Sequence, residues 1–153
     1  MQRRALIQIK RHHKVYWLLL TTMLNIILMV PMSLNTPNTI PKMTHQQVIN
    51  KLIAMNHPNP QLIRAIIHVE SKGDSKAIST KGAIGLMQVL PQSGKEYAGV
   101  SRTELFDIEK NIQVGCKIVK IYERTSPNLK IALGRYSGGA KGYYQKVMKA
   151  MRG

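Results

Sequence analysis

Cysteine is almost missing from this chain of 153 residues: Cys116 stands alone, so no internal disulfide can form. The same scarcity excludes a Cys/His metal site, and His12, His13, His45, His57 and His68 show no ligand spacing. Neither a metal nor a cofactor is expected. Carboxylates are few as well, seven against 23 lysines and arginines, for a net charge of +16. So few acids leave little material for paired-carboxylate chemistry. No run of strand character exceeds about four residues and no internal repeat is visible, which excludes sheet-based and solenoid architectures.

What the chain does contain begins with a basic head. Residues 1–14 carry Arg3, Arg4, Lys10, Arg11 and Lys14 with no acid, and Val15 to Val30 follow without a charge. A basic preface before an apolar stretch is the pattern of an export signal. No A-x-A-like cleavage site follows. The stretch is near the short end of what spans a bilayer, about 17 residues, and Asn25 weakens it. Residues 1–32 therefore read either as a cleaved signal peptide or as a membrane anchor, which would leave the rest of the chain outside the cytoplasm. Residues 33–43, with two prolines, two asparagines and two threonines, read as a linker. Cys116, far from the signal, is not a lipid attachment site and reads as a small buried hydrophobe.

Residues 36–153 keep 18 basic residues against seven acids, a balance of +11. For an exported body of that charge, anionic wall polymers or lipid surfaces are natural partners. Nucleic acid, the default for a basic cytoplasmic protein, is not expected, because the export segment argues against it and the cations are scattered.

Local signals place a series of helices. Thr44 caps one to about Asn56, and Asn56-His-Pro-Asn-Pro breaks it. Asn59 and Pro60 open a second, which Gly73 can close in a left-handed conformation. A short helix fits Pro91 to Ala98. Asp107 caps the longest, Ile108 to about Arg124, with Gly115 in its interior for close helix packing. Glu104, Asp107 and Glu109 gather at its start, where the helix dipole favours acids, and Glu123 near its end reads as exposed. Leu129 to Tyr136 and about Lys141 to Met151 complete the set, the last with Tyr144, Val147, Met148 and Met151 inward. The fold class is mainly α, with a small irregular β element in the glycine-punctuated stretch after the second helix.

The stretch Leu62 to Pro91, LIRAIIHVESKGDSKAISTKGAIGLMQVLP, holds the chemistry. Leu62, Ile63, Ile66, Ile67 and Val69 form an apolar face at helical spacing. Glu70 lies four residues after Ile66 and three after Ile67, so its side chain leaves from the edge of that face. A carboxyl half inside an apolar wall resists ionisation and its pKa rises, as a general acid at neutral pH requires. From the helix alone a solvated surface glutamate is the commoner case, since acidic residues are mostly exposed. Asp74 is the nearest second carboxylate, and Gly73 breaks the helix between them. Gly82 and Gly85 read as points of close backbone approach to a ligand, or as an ordinary turn; Met87 fits the core, and the Gln88 amide can bond a sugar or position another group.

Glu70-Ser71, Ala77-x-Ser79, Gly82-Ala83-Ile84-Gly85-Leu86-Met87-Gln88 with Pro91 just after, and Asn111-Ile112 with Gly115, resemble the lytic transglycosylase family. The likeness runs from about residue 60 to residue 144. It implies a goose-lysozyme-like helical fold for residues 44–153. It also implies cleavage of the MurNAc–GlcNAc β-1,4 bond of peptidoglycan without water, giving 1,6-anhydromuramyl ends. By the same resemblance Glu70 is the catalytic acid and base, and Ser71 binds substrate or holds the acid. Gly85, Leu86, Met87 and Gln88 line the cleft, the long helix packs beneath the catalytic one, and Tyr136 brings its hydroxyl near the carboxylate. Two positions depart from the family pattern. Ser137 replaces an asparagine expected after Tyr136, which bears on substrate contact there, and Gly73 stands where a bulky aromatic is common.

Small exported members of the family imply a periplasmic location and a role in local wall opening for a secretion, conjugation or phage machine. Partners would then be peptidoglycan strands, components of such an apparatus, and the membrane if the N-terminal segment is kept. A hydrolytic muramidase using Asp74, and a wall-binding scaffold without chemistry, remain the alternatives.

Overall fold

The structure is a computed structural model that describes residues 42–153. The basic head, the apolar stretch and all but the end of the linker lie outside the described residues. Met43–Gly153 forms one compact unit of six α-helices among the described residues: α1 (His45–Asn56), α2 (Pro60–Ser71), α3 (Pro91–Ala98), α4 (Ile108–Thr125), α5 (Leu129–Tyr136) and α6 (Tyr143–Ala150), with a 3-10 turn at Glu104–Phe106.

The caps are those the sequence supplies. Thr44 and Gln47 form a reciprocal capping box on α1. Asn59 accepts from the Leu62 N–H, and Pro60 occupies the first turn of α2. Asp107 opens α4 by accepting from the Lys110 N–H at 2.9 Å. At the end of α2 the left-handed cap is Lys72 (φ 55°), one residue earlier than expected, and Gly73 (φ 87°) continues the turn. The first backbone escape from the helix thus falls immediately after Ser71. The β element consists of two antiparallel bridges, Ile78 with Ile84 and Ile84 with Val89, so it is a folded loop rather than a sheet.

One core runs through the unit. Ile53, Leu62, Ile63, Ile66, Ile84, Leu86, Met87, Leu105, Ile112, Leu133 and Val147 are fully buried. The apolar face of α2 and the loop 84–89 supply most of it. Helix α4 packs against α1, α3 and α5, while α2 packs against α1 and α6. The expectation that the long helix lies directly beneath the Glu70 helix needs correction on one point. At Gly115 its close approach is to Met87 of the loop: a Cβ there would fall 2.8 Å from the Met87 Cβ and 2.9 Å from its Cε.

Gly115→Ala is therefore expected to destabilise the domain by about 1–3 kcal/mol through overpacking, against a helix-propensity gain of about 1 kcal/mol. Chemical denaturation measures the balance. A net gain in stability would show that Met87 yields freely.

Candidate active site

Glu70 sits half-buried in the last turn of α2, whose inner face of Leu62, Ile63, Ile66 and Ile67 is closed to solvent. Tyr143, the first residue of α6 and itself buried, donates its hydroxyl to Glu70 Oε1 at 2.6 Å. Burial pushes the Glu70 carboxyl above its ordinary pKa, and the Tyr143 hydrogen bond only partly offsets that rise. Tyr143 is pushed upward too, by burial first and by the Glu70 charge second, so it stays a proton-bearing donor. Of the seven acids only Glu70 and Glu123 are half-buried, and the other five are exposed. Glu123, read from sequence as exposed, is held by the buried His57, whose Nε2 lies 3.1 Å from its Oε2. Asp74 is exposed beyond the helix end, its Oδ1 accepting from the Lys76 N–H at 2.8 Å.

The loop 84–89 is tied to Ser71, the residue after Glu70, and three side chains fasten it. Ser71 donates to the Leu86 carbonyl at 2.8 Å. Tyr136 donates to the Met87 carbonyl at 2.8 Å. Asn111, on α4 and 1 % exposed, accepts from the Met87 N–H at 2.9 Å and donates to the Ile84 and Leu105 carbonyls at 2.8 Å each. A buried amide with both N–H donors and its oxygen bonded to backbone is a rigid brace.

Several expected cleft contacts take a different form. Leu86 and Met87 have no exposed surface; their side chains are core, and their carbonyls belong to Ser71 and Tyr136. Gly85 (φ 76°) is buried, and a side chain there would collide with the Asn111 amide, so the glycine admits Asn111 rather than a ligand. Gln88 keeps a half-buried side chain, but its Nε2 is bound to the Ala77 and Gly85 carbonyls at 3.1 and 3.0 Å. It adopts φ 46°, a left-handed conformation in which a non-glycine residue carries strain. The Ser71 hydroxyl is turned inward. Ser137 spends its hydroxyl on the turn after α5, donating to the Gly134 carbonyl and accepting from the Ala140 N–H.

Tyr136 feels the Glu70 charge, which with burial raises its own pKa, yet the hydroxyl bonded to the carboxylate is that of Tyr143. The sequence reading turned Tyr144 inward instead. The available signal was spacing: Tyr143 lies four residues before the fully buried Val147, on the same helix face.

A family model for the transglycosylase SLT domain matches residues 47–152, most of the chain. The chain belongs to the SLT transglycosylase family. It is 30% identical over 112 residues to a transglycosylase of Enterobacteria phage PRD1, covering 67% of this chain and 41% of that protein. It is 40% identical over 73 residues to the endo-type membrane-bound lytic murein transglycosylase A of Klebsiella pneumoniae, covering 42% and 36%. The chain thus spans about two fifths of the length of these SLT relatives. Among solved structures, an inactive mutant of the lytic transglycosylase Slt from Pseudomonas aeruginosa aligns with a TM-score of 0.54 at 26% identity, over 68% of this chain and 18% of that one. The 70 kDa soluble lytic transglycosylase of Escherichia coli aligns at 0.53 and 21% identity, over 70% and 19%. The mainly helical, lysozyme-like SLT fold is therefore the fold of this chain.

Because Glu70 holds its proton more tightly folded than unfolded, its ionisation weakens the fold as pH rises above the ordinary value of 4.5. Glu70→Gln is expected to be more stable than the wild type at neutral pH, with the advantage vanishing below pH 4.5. Denaturation midpoints across that range check this. An advantage that grows toward low pH would contradict the sign of the shift.

Proposed function

We propose that the chain is a peptidoglycan lytic transglycosylase with Glu70 as its only acid and base. The observation that carries this reading is a single half-buried carboxyl, raised in pKa, with a neutral tyrosine as its hydrogen-bond partner. The protonated Glu70 gives its proton to the glycosidic oxygen as the bond from the muramyl C1 breaks. The resulting carboxylate then takes the proton of the C6 hydroxyl as that oxygen attacks C1. Glu70 ends protonated, no water is consumed, and the product is a 1,6-anhydromuramyl end.

Support for the non-hydrolytic course comes from the absence of a second buried acid. A hydrolase that retains or inverts places its second carboxylate roughly 5–9.5 Å from the first, and Asp74, the nearest in sequence, is exposed and tied into its own turn. The names of the relatives support the same activity. The brace of Asn111, Tyr136 and Ser71 serves catalysis by holding the wall that keeps Glu70 partly dry, so these are positioning residues. Gln88, half-buried and engaged through its Nε2, is the remaining candidate for contact with the strand through its Oε1; Ser137 would have to give up its turn bonds to make one.

The basic head and apolar segment of residues 1–30 support export to the periplasm, as a cleaved signal or an anchor; among the described residues no helix is long and apolar enough to cross a membrane. Likeness to the phage relative favours a role in local wall opening for a larger machine.

Digestion of purified peptidoglycan by the full chain, read by mass spectrometry, tests the reading. Wild type is expected to release anhydromuramyl ends, and Glu70→Gln to lose about 10²–10⁴-fold in rate. Reducing ends, one water heavier, would make the enzyme a hydrolase. An active Glu70→Gln would remove Glu70 from the chemistry.

A further inference from the structure

One groove of the described domain lies away from Glu70. It has a volume of about 690 Å³ and runs along the exposed face of α4, against the break between α1 and α2. Lys117, Lys120 and Arg124 line it at spacings of three and four residues, one continuous helix face. Asn56, Pro58 and Ile121 supply the opposite wall and floor. Pro58 precedes α2, whereas Glu70 stands in its last turn. Ten residues of helix from Pro60 to Glu70 separate the two by about 15 Å, and neither Glu70, Tyr143 nor Tyr136 lines the groove.

Cations outnumber acids in this groove, three against the single carboxylate of Glu123. Among the described residues, Lys117, Lys120 and Arg124 have no carboxylate within ion-pair distance. Glu123 lies in the lining, but the buried His57 holds its carboxylate. Glu109, one turn before the groove, accepts from the Gln113 amide at 2.9 Å. Three like charges at helical spacing repel one another, and Glu123, the one acid among them, is bonded to His57. A bound anion would relieve that repulsion.

We infer that this groove is a second, non-catalytic site that holds a wall strand by the carboxylates of its peptide stems. The inference rests on the proposed wall substrate. Shape argues for a chain with discrete carboxylates: a bilayer surface is flat and cannot fill a concave channel, and an apolar floor of Pro58 and Ile121 suits the side chains of a short peptide better than a phosphodiester backbone. Cations on an exposed helix face make such contacts dependent on ionic strength. Held there, a stem-bearing strand stays on the enzyme while the cleft opens between cuts.

The test uses the full chain carrying Glu70→Gln, so that nothing is cleaved, with and without Lys117→Glu, Lys120→Glu and Arg124→Glu. Pelleting is measured with protein-free sacculi, and with the same sacculi after an amidase has removed the stems. The triple variant is expected to bind stem-bearing sacculi at least tenfold more weakly at low salt, with the gap closing as salt rises, and to match its parent on stem-free glycan. Lys→Gln and Arg→Gln changes at the three positions should give the same ordering with a smaller loss, and circular dichroism confirms the fold. Equal pelleting on stem-bearing sacculi overturns the proposal, as does an equal loss on stem-free glycan. A loss greater on phosphatidylglycerol vesicles or on duplex DNA than on sacculi gives the groove to lipid or nucleic acid and likewise overturns it. The pelleting result stands apart from turnover: if wild type fails to cut the wall while the pelleting difference holds, the catalytic reading falls and the groove assignment stands.

Discussion

The domain has to bury one carboxyl group without giving it a cation. With 18 lysines and arginines in residues 42–153, the easiest arrangement would be to pair Glu70 with one of them. An adjacent cation would pull its pKa down and leave a carboxylate with no proton to give. Among the described residues no lysine, arginine or histidine reaches it; the hydrogen-bond partner is the phenol of Tyr143, which stabilises the charged form only modestly. Desolvation therefore outweighs the hydrogen bond, and the carboxyl is held above its ordinary pKa.

Keeping that carboxyl partly dry requires a wall that does not move. Helices alone do not provide it, because α2 ends at Ser71, one residue past Glu70. The loop 84–89 closes the gap. It is pinned from α2 through Ser71, from α5 through Tyr136 and from α4 through Asn111. Each contact ends on a backbone group, so the loop's own side chains, Leu86 and Met87, are free to point into the core. The glycines at 85 and 115 exist for this clamp: one lets Asn111 approach and the other lets Met87 seat against α4.

This division explains what could be read from the sequence. Helix starts are local events, a capping side chain and the N–H three residues on, and Thr44, Asn59 and Asp107 announce theirs. The position of Glu70 at the edge of an apolar face was equally legible, since three- and four-residue spacings fix it. The brace was not. Asn111 meets partners 24 and 27 positions away, and the resemblance marks it as a family piece without saying what it holds. Leu86 and Met87 lie in a loop, where no period marks which side is core; the resemblance puts both in the cleft lining, while the residues themselves allow Met87 in the core, where it is. Tyr136 and Tyr143 approach Glu70 together, and only the packing of α6 on α2 decides which hydroxyl reaches the carboxylate. The pairing of His57 with Glu123, 66 positions apart, was invisible for the same reason.

The central claim is that burial, and not a charged neighbour, sets the state of Glu70. A carboxyl-carbon NMR titration of Glu70 in the wild type and in Tyr143→Phe tests it most directly. The midpoint in the wild type is expected above 4.5, and removing the hydroxyl should raise it further, because that hydrogen bond favours the charged form. A wild-type midpoint at or below 4.5, or a lower one in Tyr143→Phe, would contradict the account.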